Sequence, residues 1–208
     1  MIMRKLLYKL KQIINYFALK EKNFTIISDN CFAGFIYQKY GLQYQSPTIG
    51  CMMFGDDYIE FCNNLDCYTT GDYDFKFITK EESKYNYLIK KIQKKYPIAI
   101  LNNKIEIHFL HYNDCNECID KWIRRCSRIN KDKLVFKISE REGYTRENLK
   151  QFCELNVNKI IFSFNNYPDS IRVSELEKLY KIGGDEYPFI IKKFNSTKYL
   201  NNCFKDND

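Results

Sequence analysis

No glycine-rich phosphate loop can be assembled from this chain: Gly183-Gly184 stands alone, and neither GxGxxG nor GxxxxGK[ST] occurs. No apolar run approaches the roughly eighteen residues that span a bilayer, so a transmembrane chain is not expected. No secretory h-region precedes the nine cysteines, whose odd number and hydrophobic settings suit buried thiols in a reducing cytosol better than a disulfide framework. Pro/Gly-rich linkers and internal repeats are also missing, which favours one domain. Histidine is scarcest of the reactive types, with two in 208 residues, His108 and His111.

What is abundant is lysine. Lysines scattered along the chain account for most of the net charge of +7, and they accompany many Asn, Ile and Tyr residues, the composition of an AT-rich genome. Such a balance more often reflects solvated faces than a nucleic-acid surface, and no nucleic-acid motif is present, so no nucleic-acid partner is expected. An anionic small substrate or an anionic membrane suits the charge as well.

Residues 1–22 differ from the rest. Leu6, Leu7, Leu10, Ile13, Ile14 and Phe17 recur at helical spacing among Arg4, Lys5, Lys9, Lys11 and Lys20. A basic amphipathic helix of this kind can lie on an anionic membrane, and its plainer alternative is a terminal helix docked on its own domain.

Residues 23–208 read as a single α/β domain. Strands are expected at Phe24–Ser28, Pro47–Phe54, Ile98–Leu101, Ile105–Leu110, Leu134–Ile138, Lys159–Phe164 and, closing the fold, Phe189–Ile191. Asn102-Asn103 reads as a hairpin turn because asparagine tolerates left-handed conformations. Helices are expected from Asp56, from Asp114 to Ile129, from Thr145 to Leu155 and near Ser174–Tyr180, with Tyr68–Phe77 as a loop. Helices between strands imply parallel pairing, and the hairpin makes the sheet mixed but largely parallel.

Three constellations could carry chemistry. Cys31 in Ser28-Asp29-Asn30-Cys31 follows the first strand, where open α/β sheets bind ligands. At a helix N-terminus its thiol would be activated, with His108 or His111 as base and Ser28 or Asn30 as orienting groups; the bland reading is a core cysteine. His111 is the better base, since it sits at a strand-to-helix junction while His108 alternates with apolar neighbours. Arg124, Arg125 and Arg128 concentrate in five positions, and planar forks suit phosphate or carboxylate better than lysine does. On the helix wheel Arg125 and Arg128 lie with Lys121 on one flank and Arg124 lies opposite; a solvated basic face explains them equally.

The CxxC of Cys115 and Cys118 could join His111 and Cys126 in a zinc site. Helical spacing instead places Cys115, Cys118, Ile119, Trp122, Cys126 and Ile129 on one core-facing stripe, so no metal is expected. Asp72-Tyr73-Asp74 fits the acid-x-acid pattern of nucleotide-sugar transferases, a pattern three residues long and common by chance.

Taken together, Phe24 to Gly34, Tyr44-Gln45-Ser46-Pro47-Thr48, Tyr58-Ile59-Glu60-Phe61, Tyr96-Pro97, Ile107 to Tyr112 and Lys121 to Arg125 with Arg128, Ile129 and Asn130 resemble a bacterial family, domain of unknown function 1919, often labelled exopolysaccharide-biosynthesis protein. The resemblance covers about Phe24 to Phe164. The family usually has tryptophan and glycine in place of Phe32 and Ala33, and usually lacks the Cys115/Cys118 pair. It implies a two-layered α/β structure and a role in building or modifying a surface polysaccharide on the cytoplasmic side, with no mechanism attached.

The resulting expectation is a cytoplasmic transferase, at the inner face of the membrane if residues 1–22 dock there, that moves an acyl or similar group to a polysaccharide precursor. Its partners would be an anionic donor or a lipid-linked sugar, and no cofactor is named by any motif. A nucleotide-sugar glycosyltransferase and a non-catalytic assembly protein are the alternatives.

Overall fold

The computed structural model describes residues 2–90, 92–141, 143–182 and 184–205. It is a mixed α/β fold, with ten α-helices and seven strands in two sheets among those residues. The first sheet is wholly parallel, in the order β1 (Thr25–Ser28), β5 (Leu134–Ser139), β6 (Asn158–Ser163) and β7 (Ile171–Arg172). The second is an antiparallel meander of β2 (Phe75–Ile78), β3 (Ile98–Leu101) and β4 (Ile105–His108). Parallel and antiparallel pairing thus sit in two sheets rather than one.

Alternation in the parallel strands divides the core. Ile26, Val135, Ile160 and Phe162 point to one face and bury α2 (Phe32–Tyr40), α8 (Leu176–Ile182), α9 (Tyr187–Lys193) and α10 (Ser196–Cys203). Ile27, Phe136, Ile138 and Ile161 point to the other face. There they meet α3 (Gly55–Asn63), α4 (Leu65–Thr69), α6 (Cys115–Cys126), α7 (Arg146–Glu154) and the second sheet, around the fully buried Trp122. A short α5 (Asn86–Ile89) closes a smaller cluster with Phe54, Tyr85 and Ile98.

Local sequence explains most elements. Asn102 and Asn103 both take positive φ, 53° and 54°, as the hairpin between β3 and β4 requires. Asp114 caps α6 through the Glu117 amide, and Thr145 forms a capping box with Asn148 at α7. Three expectations change. Pro47–Phe54 is irregular, paired only by a Met52–His108 bridge. Within the expected loop Tyr68–Phe77, alternation in Phe75-Lys76-Phe77 produces β2. Phe189–Ile191 lies in α9, which Pro188 opens at its first turn.

The N-terminal helix α1 (Ile2–Ala18) is not docked by its apolar side. Gln12 and Asn15 donate to the Gln38 and Lys39 carbonyls at the end of α2, while Leu6, Leu10, Ile13 and Phe17 face outward.

Candidate functional site

β1 and β5 are adjacent parallel strands, yet the helices that follow them, α2 and α7, pack on opposite faces of the sheet. A crevice must open beyond the strand C-termini where the chain diverges in this way. It does: a cleft of about 590 Å³ lies there, with Asp29, Asn30, Cys31, Arg141 and Glu186 at its polar end. Phe32, Phe35, Met53, Phe54, Tyr144 and Tyr187 form apolar walls, and His111 and Lys90 also line it.

The floor is built around Lys137. This residue lies mid-strand in β5, fully buried, and its Nζ donates to Asp29 Oδ1 (2.9 Å), Asn30 Oδ1 (3.0 Å) and Glu186 Oε1 (2.5 Å). All three ammonium protons are therefore engaged. Two residues on, Ser139 donates its amide to Asp29 Oδ2 (3.0 Å) and its hydroxyl to Glu186 Oε1 (3.0 Å). Asn30 Nδ2 also donates to Glu186 Oε1, at 2.9 Å.

With Arg141 included, two carboxylates face two cations, so the buried cluster is balanced. Burial drives the Asp29 carboxyl upward, and the Lys137 ammonium pulls it only part of the way back. Burial also works to raise Glu186, but Lys137, Arg141 and the Asn30 amide outweigh it and hold this group below the usual carboxylate range. Glu186 is thereby kept ionised. Among the described residues its Oε2 is buried with no hydrogen bond and forms an ion pair with Arg141 Nη1 at 3.6 Å.

Cys31 stands where the sequence puts it, after β1 and immediately before α2, but its thiol is not activated there. Burial, joined by the Asp185 charge, pushes it up to about 11, and attraction to Lys137 does not compensate. His111 lines the same cleft, with burial and Lys94 lowering its pKa so that the neutral imidazole prevails at pH 7. Gly50 makes room for it: at φ +76° this residue needs glycine, and an added Cβ would lie 3.2 Å from the His111 Cβ.

Residues 2–204 match the family model described as Domain of unknown function (DUF1919). The chain belongs to that family. An uncharacterized protein of Haemophilus influenzae is similar to this DUF1919 chain, 29% identical over 185 residues that cover 87% of the chain and 81% of the relative.

The remaining sequence candidates of the DUF1919 chain lie elsewhere. His108 is fully buried on β4, with Nε2 2.8 Å from Glu106 Oε1, Nδ1 3.3 Å from the Tyr96 hydroxyl and its ring edge-on to Phe54. It supports a cleft wall from behind. Ser28 is buried as well, its hydroxyl donating to the Asn30 carbonyl (2.6 Å) and accepting from the Ala33 amide (3.3 Å), which sets the turn that presents Asn30.

The arginine cluster in the last turn of α6 and just beyond it lies away from the cleft lining. Arg125 is buried and donates to the Ile49 carbonyl (2.9 Å) and the Tyr112 hydroxyl; Arg128 donates to the Tyr44 carbonyl (3.3 Å); Arg124 is exposed. The loop they hold forms no strand, so its carbonyls need donors that can reach sideways, and one Nη1 from each guanidinium supplies them. Cys118 and Cys126 are buried as the helical stripe requires, while Cys115 is exposed. Asp74 braces the Asn102-Asn103 turn, where its carboxylate accepts from Asn103 at 3.0 Å, and neither Asp72 nor Asp74 lines the cleft.

Sequence reasoning missed Lys137, Arg141 and Glu186 and gave Asp29 no role. Lys137 had a readable signal, a single charge inside the apolar run Leu134 to Ile138 of a strand covered on both faces. Glu186 had none, since only the fold carries it to β1.

Proposed function

We propose that the cleft is the active site of a transferase that places an acyl or similar group on a hydroxyl of a polysaccharide precursor. The observation that carries this reading is the Glu186 Oε2 atom, an ionised carboxylate oxygen in the wall of a cleft that is ion-paired to Arg141 at 3.6 Å but, among the described residues, accepts no hydrogen bond. A buried acceptor left unmatched costs about 1–3 kcal/mol, which a ligand hydroxyl would recover. Once bound, that hydroxyl has its general base in contact.

The other groups divide the remaining tasks. Lys137, Asn30 and Ser139 hold Glu186 Oε1 and so fix the direction of Oε2. Asp29 keeps Lys137 in place. The stacked pair Phe35 and Tyr187, 4.2 Å between centroids, offers a flat apolar face on which a sugar ring can lie. Arg141 and Lys90 would receive the anionic portion of a donor, and neutral His111 offers a second proton acceptor. Cys31 stays a protonated thiol beside the acceptor and forms no covalent intermediate in this scheme. The polysaccharide nature of the acceptor comes from the resemblance of the motifs, and a cytoplasmic setting from the cysteine usage.

Thermal shifts with acetyl-coenzyme A and with nucleotide sugars test the donor. A ligand at about 100 times its Kd stabilises by about 2.7 kcal/mol, a rise of roughly 5–10 °C for a chain of this size. Glu186→Gln should retain the shift and lose turnover at least about a hundredfold, the scale of removing a general base. A shift with nucleotide sugars alone would favour a glycosyltransferase, and silence with both would remove the transferase reading in favour of a non-catalytic role.

A further inference from the structure

The apolar face of α1 has no partner among the described residues, and Phe17, Met3 and Leu6 are 78%, 74% and 67% exposed. At about 100° per residue, Met3, Leu6, Leu7, Leu10, Ile13, Ile14 and Phe17 occupy one continuous half of the helix surface. The opposite half carries the contacts to the domain. Gln12 Nε2 donates to the Gln38 carbonyl at 2.7 Å, Asn15 Nδ2 to the Lys39 carbonyl at 3.4 Å, and fully buried Leu19 anchors the end. The approach is close: a Cβ on Gly41 would stand 3.0 Å from the Gln12 side chain. A helix stabilised by its own domain turns its apolar side inward, and this one is held the other way round.

Charge specifies what covers that face. On the same wheel Arg4 and Lys11 fall along one border of the apolar half and Lys9 along the other, with Lys5 further round beside Gln12, and no acidic residue occurs before Glu21. Long basic side chains at both borders can bury their stems while their charges reach phosphate. A second copy would bring two sets of like charges together along the same borders, which costs rather than gains. Insertion across a bilayer is not available either, because no helix among the described residues is long and apolar enough to cross one.

We propose that α1 docks the protein in the plane of an anionic lipid surface, apolar face down and domain above. The 17-residue helix would lie about 26 Å along that surface. The inference rests on α1 alone and stands whatever chemistry the cleft performs.

Flotation of the full chain with vesicles tests it. Vesicles of phosphatidylcholine with about one third phosphatidylglycerol should carry the protein at low salt, and pure phosphatidylcholine should bind at least about tenfold more weakly. Raising salt to about 0.5 M should weaken the anionic binding by screening. Leu6→Ser/Leu10→Ser/Phe17→Ser should abolish flotation, and Lys9→Glu/Lys11→Glu should remove the preference for anionic lipid. Because these side chains are exposed, each variant should keep the wild-type Tm, which excludes misfolding as the cause. Equal flotation of wild type and the triple-serine variant, or none by either, would overturn the proposal. So would a concentration-dependent dimer that disappears with the same three serines and excludes lipid, since the occupant would then be a second copy.

Discussion

A lysine whose three ammonium protons are all donated inside a parallel sheet leaves two carboxylates dependent on it. Lys137→Met would keep much of the side-chain volume and strand Asp29 and Glu186 without their nearest cation, which costs about 3–5 kcal/mol. Urea unfolding at pH 7 would measure this, and a loss under about 1 kcal/mol would mean that water already shares the cluster. Cys31 allows a second test at the same scale. With its thiol at about 11, alkylation should be slow at pH 8 and accelerate up to about pH 11, well behind exposed Cys67 and Cys115. Peptide mapping after brief iodoacetamide treatment would show the order. Preferential labelling of Cys31 at pH 7 would restore it as a nucleophile.

Among the elements, α6 shows both what a sequence reveals and what it conceals. Its apolar stripe of Cys115, Cys118, Ile119, Trp122, Cys126 and Ile129 predicts burial, and the structure buries Cys118, Trp122 and Cys126, half-buries Ile119 and Ile129, and leaves Cys115 exposed in the first turn. Replacing Cys118 by Ala should cost about 1–2 kcal/mol with no change in metal content, checked by unfolding and by elemental analysis. Arg125 and Arg128, in and just after this helix, bond within the protein; clustering reports that planar donors are needed and does not say for what. Arg125→Lys should destabilise by about 1–3 kcal/mol, since a lysine loses the planar guanidinium that lies over the Tyr44 and Tyr112 rings while its Nη1 reaches the Ile49 carbonyl and the Tyr112 hydroxyl. A silent substitution would return Arg125 to the list of ligand-binding candidates. Elements with a clear period or cap, such as β1, the Asn102-Asn103 hairpin and α7, were legible in the residues. Three-residue apolar runs such as Phe189–Ile191 have no period to read, and Pro47–Phe54 looks like a strand only because its satisfying donors come from distant side chains. The cleft was half legible: Asn30, Cys31 and His111 follow from strand ends, whereas Glu186 arrives from 156 positions beyond Asn30.

In the whole molecule, the cleft exists because two sheets and two helical layers are held in one relation, and a buried polar network contributes to that hold. Glu106 on β4 accepts from the Ser83 hydroxyl and the Lys84 amide (3.1 Å), lies 2.8 Å from His108 Nε2, and donates its own amide to Asp57 Oδ2 on α3 at 3.0 Å. Burial opposes ionisation of Glu106, but His108 and Ser83 prevail and hold it below its usual 4.5. Its contribution to stability is therefore complete above pH 4.5 and is lost as pH falls through the lower folded value. Asp57 has the opposite sign: burial raises it above 3.8 despite Lys84, so its ionisation detracts from stability as pH rises through its folded value. The two partly cancel in wild type, and only a difference between proteins separates them. Glu106→Gln should be less stable by about 1–3 kcal/mol at pH 7, and the gap to wild type should narrow as pH falls below 4.5, because only wild type then loses the ion. Urea midpoints of the two proteins at pH 7, at 4.5 and about one unit lower would show it, since Asp57 and every other carboxylate are common to both. Parallel curves through that range would mean that the Glu106 charge does not hold the Ser83–Lys84 segment to the second sheet, while the joint to α3 rests on the Glu106 backbone amide and Asp57 in both proteins.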